Sequence, residues 1–289
     1  MRPCNLIEQD LPDRPDYLIE SDALFAALGK PDLKIIDASW HLDPDRVAKT
    51  EYEAQHIPGA VFFDIDGIAD QQSPLPHMLP SPDYFDAAAR DLGLSGTDRV
   101  VVYDSTGIFS APRVWWTLRI MGVQNVQILN GGLPAWIDHG YPLESGPVHI
   151  EPGDFSTFFE AGKVIGLTEL KKIVADESAM ILDARPADRF AGRAPEPRPG
   201  LKSGHISGSH NLPASCLIEN GHMKTVEEIR SHLSQAGITA NTDVIVSCGS
   251  GITAAILALG LALAGHERTC LYDGSWAEWG QLPDAFICR

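Results

Sequence analysis

The chain has 289 residues, room for two domains of ordinary size, and its 44% hydrophobic content is that of a globular protein. A formal net charge of −17 repels polyanions, so neither nucleic acid nor an anionic membrane is expected as a partner. No apolar run nears the roughly 20 residues that span a bilayer, and residues 1–10 lack the basic start and apolar block of a secretory signal.

Residues 17–29 read as a short lead-in and a helix, with Ser21 as its N-cap. Residues 34–37 form a buried strand ending in a carboxylate, and after the segment HIPGA at His56 the chain is extended over 61–63. A Pro-rich loop over 73–82 leads into a helix over 83–92. A second apolar strand over 100–103 ends at Asp104, and a helix over 112–121 follows, closed by Gly122. A strand over 126–129 then runs into Asn130, two glycines and Trp136.

The second half repeats this order. The strand over 180–183 matches 34–37, residues 204–209 match the segment at His56, 244–248 match 100–104, and Tyr272 to Trp279 matches Leu129 to Trp136. The offsets lie between 143 and 149 residues, which predicts two domains of one fold in tandem: 1–144, a linker over 145–166, and 167–289. Uniformly apolar strands alternating with helices predict α/β domains, each a mostly parallel sheet with helices on both faces. Ligands of such sheets bind beyond the carboxyl ends of the strands.

At one such end lies Cys248, followed by Gly249, Ser250, Gly251, Ile252 and Thr253 and then by an Ala/Leu-rich helix over 254–264. The glycines permit a tight loop whose amides turn toward the cysteine, at the positive end of a helix. Those conditions favour a thiolate. The alternative, a small buried core residue, suits an isolated cysteine better than one set in this loop. The first domain has Asp104 at the matching position, so only the second keeps a nucleophile. The other cysteines, Cys4, Cys216, Cys270 and Cys288, are scattered without CxxC or Cys/His ligand spacing, which argues against zinc and disulfides and for a cytoplasmic protein. Arg185, Arg189, Arg193, Arg198 and Lys202 crowd into one stretch of this acidic chain, a pattern that suits a small anionic ligand.

The tandem domains, the Asp104/Cys248 asymmetry and the loop CGSGIT resemble the two-domain rhodanese-like sulfurtransferases, and among them the members that use 3-mercaptopyruvate. DASW at Asp37, FFDID at Phe62, SAPRVWW at Ser110, PEPR at Pro195 and YDGSW at Tyr272 extend the resemblance over nearly the whole chain. Ile252 stands where the family usually has valine. The resemblance implies sulfur transfer from 3-mercaptopyruvate through a persulfide on Cys248, with release of pyruvate. The acceptor it implies is cyanide, a thiol or a reduced thioredoxin, and it implies no metal or organic cofactor. It assigns Arg189 and Arg198 to the substrate's carboxylate and keto group, and it joins Asp66 and His77 to Ser250 as a proton relay. Asp66 is preferred to Asp64 on that match alone.

Gly249, Gly251, Ile252 and Thr253 complete the substrate loop, and neutral Gly249 and Ser250 speak against thiosulfate, whose users carry cations after the cysteine. Asp183 and Arg185 read as a structural pair, and His56 and His205, recurring in both halves, as architecture. Two other readings compete. A cysteine phosphatase needs an arginine at the loop's end, where this chain has Thr253-Ala254-Ala255. A non-catalytic rhodanese-like binding module would not keep Cys248.

Overall fold

The computed structural model describes residues 16–283 and 287–288, so Cys4 lies outside the described residues. The first domain runs β1 (Leu18–Ile19), α1 (Ser21–Ala27), β2 (Leu33–Asp37), α2 (Ala48–Ala54), β3 (Ala60–Phe62), α3 (Pro82–Asp91), β4 (Arg99–Tyr103), α4 (Ala111–Ile120), β5 (Asn125–Leu129) and α5 (Gly132–Asp138). The second opens with β6 (Val164–Ile165), α6 (Leu167–Asp176), β7 (Met180–Asp183), α7 (Ala187–Phe190), β8 (His205–Ile206) and β9 (His210–Asn211). It continues with β10 (Ile218–Glu219), β11 (His222–Met223), α8 (Val226–Gln235), β12 (Val244–Ser247), α9 (Ala254–Leu263), β13 (Thr269–Tyr272), α10 (Ser275–Trp279) and β14 (Ile287–Cys288).

Two parallel five-stranded sheets result, ordered β1-β5-β4-β2-β3 and β6-β13-β12-β7-β9. The orders are the same once the strands are matched, as the sequence repeat predicts. Successive residues of β4 serve opposite faces: Val100 and Val102 enter the core shared by both domains, while Val101 and Tyr103 enter the outer core of the first. Val246 and Ile245 divide the same way in β12. This is why both central strands read as unbroken apolar runs.

Two expectations need correction. Ser21 is the first helical residue of α1 rather than its cap; its hydroxyl is buried without a hydrogen-bond partner, and Glu20 holds the cap position. The linker assigned to 145–166 runs too far, because Val164 and Ile165 pair with Leu271 and Tyr272 as the edge of the second sheet. A two-residue strand carries no readable period.

The helices after the two strand-end loops, α4 and α9, pack against each other across the seam between the domains. Each therefore faces its own sheet on one side and the other domain on the other. Residues 254–261 of α9 are all buried, and α4 is buried at every position but Arg119. In α9, a helix apolar on all sides is the sequence record of that double contact. Leu259→Ala, at a fully buried position of α9, should cost about 2–5 kcal/mol in urea unfolding, since the surrounding helices close only part of the cavity. A loss below ~1 kcal/mol would show a seam much looser than the packing implies.

Candidate active site

β12 delivers Cys248 to the carboxyl edge of its sheet, and α9 begins six residues later. The loop between is pinned from below. Trp276 N–H donates to the Cys248 carbonyl at 2.9 Å, and Ala277 N–H to that of Gly249 at 2.8 Å. The Cys248 amide donates to Ser275 Oγ at 3.3 Å, and that hydroxyl donates to the Tyr272 carbonyl at 3.0 Å. Cys248 is 1% exposed, and the Gly251 N–H points at its Sγ from 3.1 Å. Gly251 has φ +83°, and a Cβ there would stand 2.8 Å from Arg113 Nη1, so both backbone and space demand glycine.

The first-domain loop shows what such a turn does with a negative charge. One Asp104 carboxylate oxygen accepts the amides of Phe109, Ser110 and Ala111 at 2.8–2.9 Å. The other accepts the Thr106 amide and hydroxyl at 2.9 and 2.8 Å. Five donors thus hold a covalently attached anion at the start of α4. Where Asp104 keeps its own carboxylate in place, the second domain carries a thiol.

Of the basic cluster, two members reach the cleft. Arg185 is fully buried and spent on Asp183, on Glu196 at 2.8 Å and on the Gly204 carbonyl at 2.9 Å, as the reading of a structural pair anticipated. Arg193 pairs with Asp188 at the surface, and Lys202 donates to the Leu282 carbonyl. Arg189 hydrogen-bonds Glu196, which has its other oxygen on Arg185. A Cβ on Gly249 would stand 3.1 Å from Arg189 Nη2, so Gly249 lets the guanidinium lie against the loop. Arg198 has no carboxylate partner within ion-pair distance among the described residues; burial lowers its pKa, with the Cys248 charge opposing.

Arg189, Arg198, Cys248, Gly249, Ser250, Ile252 and Thr253 all line one cleft of about 350 Å³, whose first-domain wall is Trp40, Leu42 and Phe109. Two larger clefts, each of about 720 Å³, contain no cysteine. Asp66 and His77 stand just behind this wall: His77 Nδ1 is 2.9 Å from Asp66 Oδ1, and Trp40 Nε1 donates to Asp66 Oδ2 at 3.0 Å. Asp64 instead accepts the Gly67 amide in its own turn. The His77 hydrogen bond holds Asp66 below the usual carboxylate range, and burial pushes His77 below the usual imidazole range. The predicted relay is incomplete: His77 Nε2 meets Arg198 Nη2 at 3.0 Å, and no hydrogen bond joins it to Ser250 among the described residues.

His56 and His205 are architectural in the same way. Each directs Nδ1 to a backbone carbonyl, of Tyr52 and Phe190 respectively, and stacks on that residue's ring.

Sequence reasoning missed Arg113 and Glu196. Arg113 is 3% exposed on α4, and its Nη2 donates to the His77 carbonyl at 2.5 Å and forms an ion pair with Asp273 Oδ1 at 2.7 Å. The signal was present as a cation directly before the apolar run Val114-Trp115-Trp116 of α4. Glu196 lay unread within PEPR, between two arginines that each needed a carboxylate.

The rhodanese-like domain matches residues 21–139 and again 166–282. The chain belongs to the rhodanese-like family. It is 43% identical to the 3-mercaptopyruvate sulfurtransferase of Escherichia coli (strain K12), over 93% of this chain and 96% of that protein. To the mitochondrial thiosulfate/3-mercaptopyruvate sulfurtransferase 1 of Arabidopsis thaliana it is 41% identical, over 92% and 76%. The crystal structure of SseA from Escherichia coli, described as a 3-mercaptopyruvate sulfotransferase, superposes with a TM-score of 0.84 at 40% identity, covering 91% of this chain and all of that one. The rhodanese-like chain is accordingly an enzyme of the sulfurtransferase class, with tandem α/β domains as expected. No helix among the described residues is long and apolar enough to cross a membrane.

The seam cation yields a stability prediction. Arg113→Leu strands the buried Asp273 carboxylate and should cost about 3–5 kcal/mol. Adding Asp273→Asn, which still accepts the Leu79 amide that Asp273 Oδ2 holds at 2.8 Å, should recover part of that loss. Urea unfolding of both single variants and the double distinguishes this from simple additivity, which would mean the two groups are uncoupled.

Proposed function

We propose that the protein transfers the sulfur of 3-mercaptopyruvate through Cys248. The observation that carries this reading is one cleft holding the strand-end cysteine and two guanidinium groups, with neutral side chains after the nucleophile. Arg198 and Arg189 take the carboxylate and keto oxygen of the substrate, a job suited to the planar guanidinium fork. The Cys248 thiolate attacks the substrate's sulfur, and an S–S bond forms as the C–S bond breaks. The electron pair of the broken bond passes to the carbon fragment as the enolate of pyruvate, which takes a proton and leaves. Cys248 retains the sulfur as a persulfide. The loop amides and the Ser250 and Thr253 hydroxyls hold its negative charge, and the Asp104 cradle supports this by showing the same turn around an anion.

A thiophile (cyanide, a small thiol or a reduced thioredoxin) then removes the outer sulfur and restores the thiolate. The similarity to enzymes named for 3-mercaptopyruvate favours the same donor. A cytoplasmic, reducing compartment suits a chain whose described cysteines all stand free.

Replacing either arginine with glycine removes charge-assisted hydrogen bonds worth about 1.5–3 kcal/mol, so kcat/KM for 3-mercaptopyruvate should fall on the order of 10- to 150-fold. The Arg198 variant should fall further, because Glu196 already compensates the charge of Arg189. Wild-type kinetics in both variants would remove them from the substrate. Ser250→Lys should raise the ratio of thiosulfate to 3-mercaptopyruvate turnover, since it adds the cation a doubly charged donor favours. An unchanged ratio would show that loop charge is not the selector.

A further inference from the structure

His77 is the residue to which the family resemblance gives a proton relay, yet its ring is committed elsewhere. A guanidinium has donors only. His77 Nε2, 3.0 Å from Arg198 Nη2, must therefore be an unprotonated acceptor. A neutral imidazole carries one proton, which then sits on Nδ1, the nitrogen 2.9 Å from Asp66 Oδ1. Asp66 is itself held by Trp40 Nε1–H at 3.0 Å, and the Trp40 ring stands edge-on to the imidazole at 4.8 Å between centroids.

The backbone fixes the ring as firmly. His77 is 5% exposed, and its carbonyl is gripped by Arg113. Its φ is +60°, a conformation that side-chain-bearing residues keep only where surrounding contacts impose it. The charged groups facing it are Asp66, Arg113 and Arg198. Two cations and burial oppose a second ring proton, and one carboxylate favours it; the balance lowers the pKa.

We propose that Asp66 and His77 are positioning residues for Arg198, a fixed neutral acceptor that aims the guanidinium into the cleft rather than a proton relay to Ser250. The proposal rests on the reading of Arg198 as the group that holds the substrate's carboxylate. Like a metal-ligating histidine oriented by a carboxylate, His77 transmits the position of Asp66 to a third group, and here that group is a cation.

Steady-state kinetics with 3-mercaptopyruvate and cyanide test it. His77→Ala should raise KM about five- to tenfold, the loss of one orienting hydrogen bond, with kcat held within about threefold. His77→Gln, which offers an acceptor oxygen but carries no titrating proton, should recover most of the KM. In an Arg198→Met background the His77→Ala step should change kcat/KM by less than about twofold, while in a Ser250→Ala background its effect should persist in full.

The contrary result is a kcat loss on the order of 100-fold in both His77 variants that vanishes when Ser250 is alanine, as a relay requires. His77→Ala kinetics equal to wild type would overturn the proposal as well. Failure of the wild-type protein to turn over 3-mercaptopyruvate would remove the functional reading instead. The imidazole 15N spectrum of the wild-type protein decides the geometry independently of turnover. It should show His77 neutral near pH 7, protonated at Nδ1 and bare at Nε2, whereas an Nε2–H or an imidazolium would refute the arrangement.

Discussion

A single buried cation ties the two halves of this protein together where its chemistry is placed. Arg113 leaves α4 in the first domain, takes hold of the His77 carbonyl and of Asp273 in the second, and lies against Gly251 in the cysteine loop. Buried charge in an apolar seam is costly unless fully paired. The interaction therefore fixes geometry more than it adds stability: moving the domains apart would leave Arg113 only the His77 carbonyl and would strip Asp273 of its cation. The cleft that holds Cys248 is lined by residues of both domains, so its walls are only as well placed as this seam.

The seam is a near-symmetric structure made asymmetric at a few residues. Asp273 accepts the Leu79 amide from the first domain, and its counterpart Asn130 accepts the Met223 amide from the second. On the Asp104 side, Gly107 and Gly221 approach so closely that a Cβ on Gly107 would stand 2.6 Å from the Gly221 carbonyl oxygen. On the Cys248 side the position matching Gly221 is His77, and the space is filled by Arg113, where the second domain has Leu257 in α9. The same exchange turns Asp104 into Cys248. One half of the duplicated frame keeps a self-contained anion, while the other opens a thiol and a cleft.

Much of this was legible in the sequence, for physical reasons. The parallel sheets followed from uniformly apolar strands and the tandem repeat from matched strand ends, and a cysteine between a buried strand and a helix marked the loop at which the cleft is found. Arg189 and Arg198 came from the family register, and the structure sets both beside Cys248. What stayed hidden depends on contacts between segments distant in the chain. Ser21 looked like a cap because its inward orientation cannot be read locally. The linker swallowed β6 because two residues of edge strand have no period. Glu196 and Arg113 acquire meaning only from partners brought together by the fold. The direction in which His77 Nε2 points, toward Arg198, is likewise a property of the folded seam.

The central claim is that sulfur passes through Cys248 and no other cysteine. Intact-protein mass spectrometry after brief exposure to 3-mercaptopyruvate, without acceptor, tests it directly. The account predicts a gain of one sulfur atom, about 32 Da, as expected for a covalent persulfide, located by peptide mapping to Cys248. The gain should be absent in Cys248→Ser and should be lost from the wild-type protein on adding cyanide. An unchanged mass while pyruvate is released, or the same gain in Cys248→Ser, would contradict it.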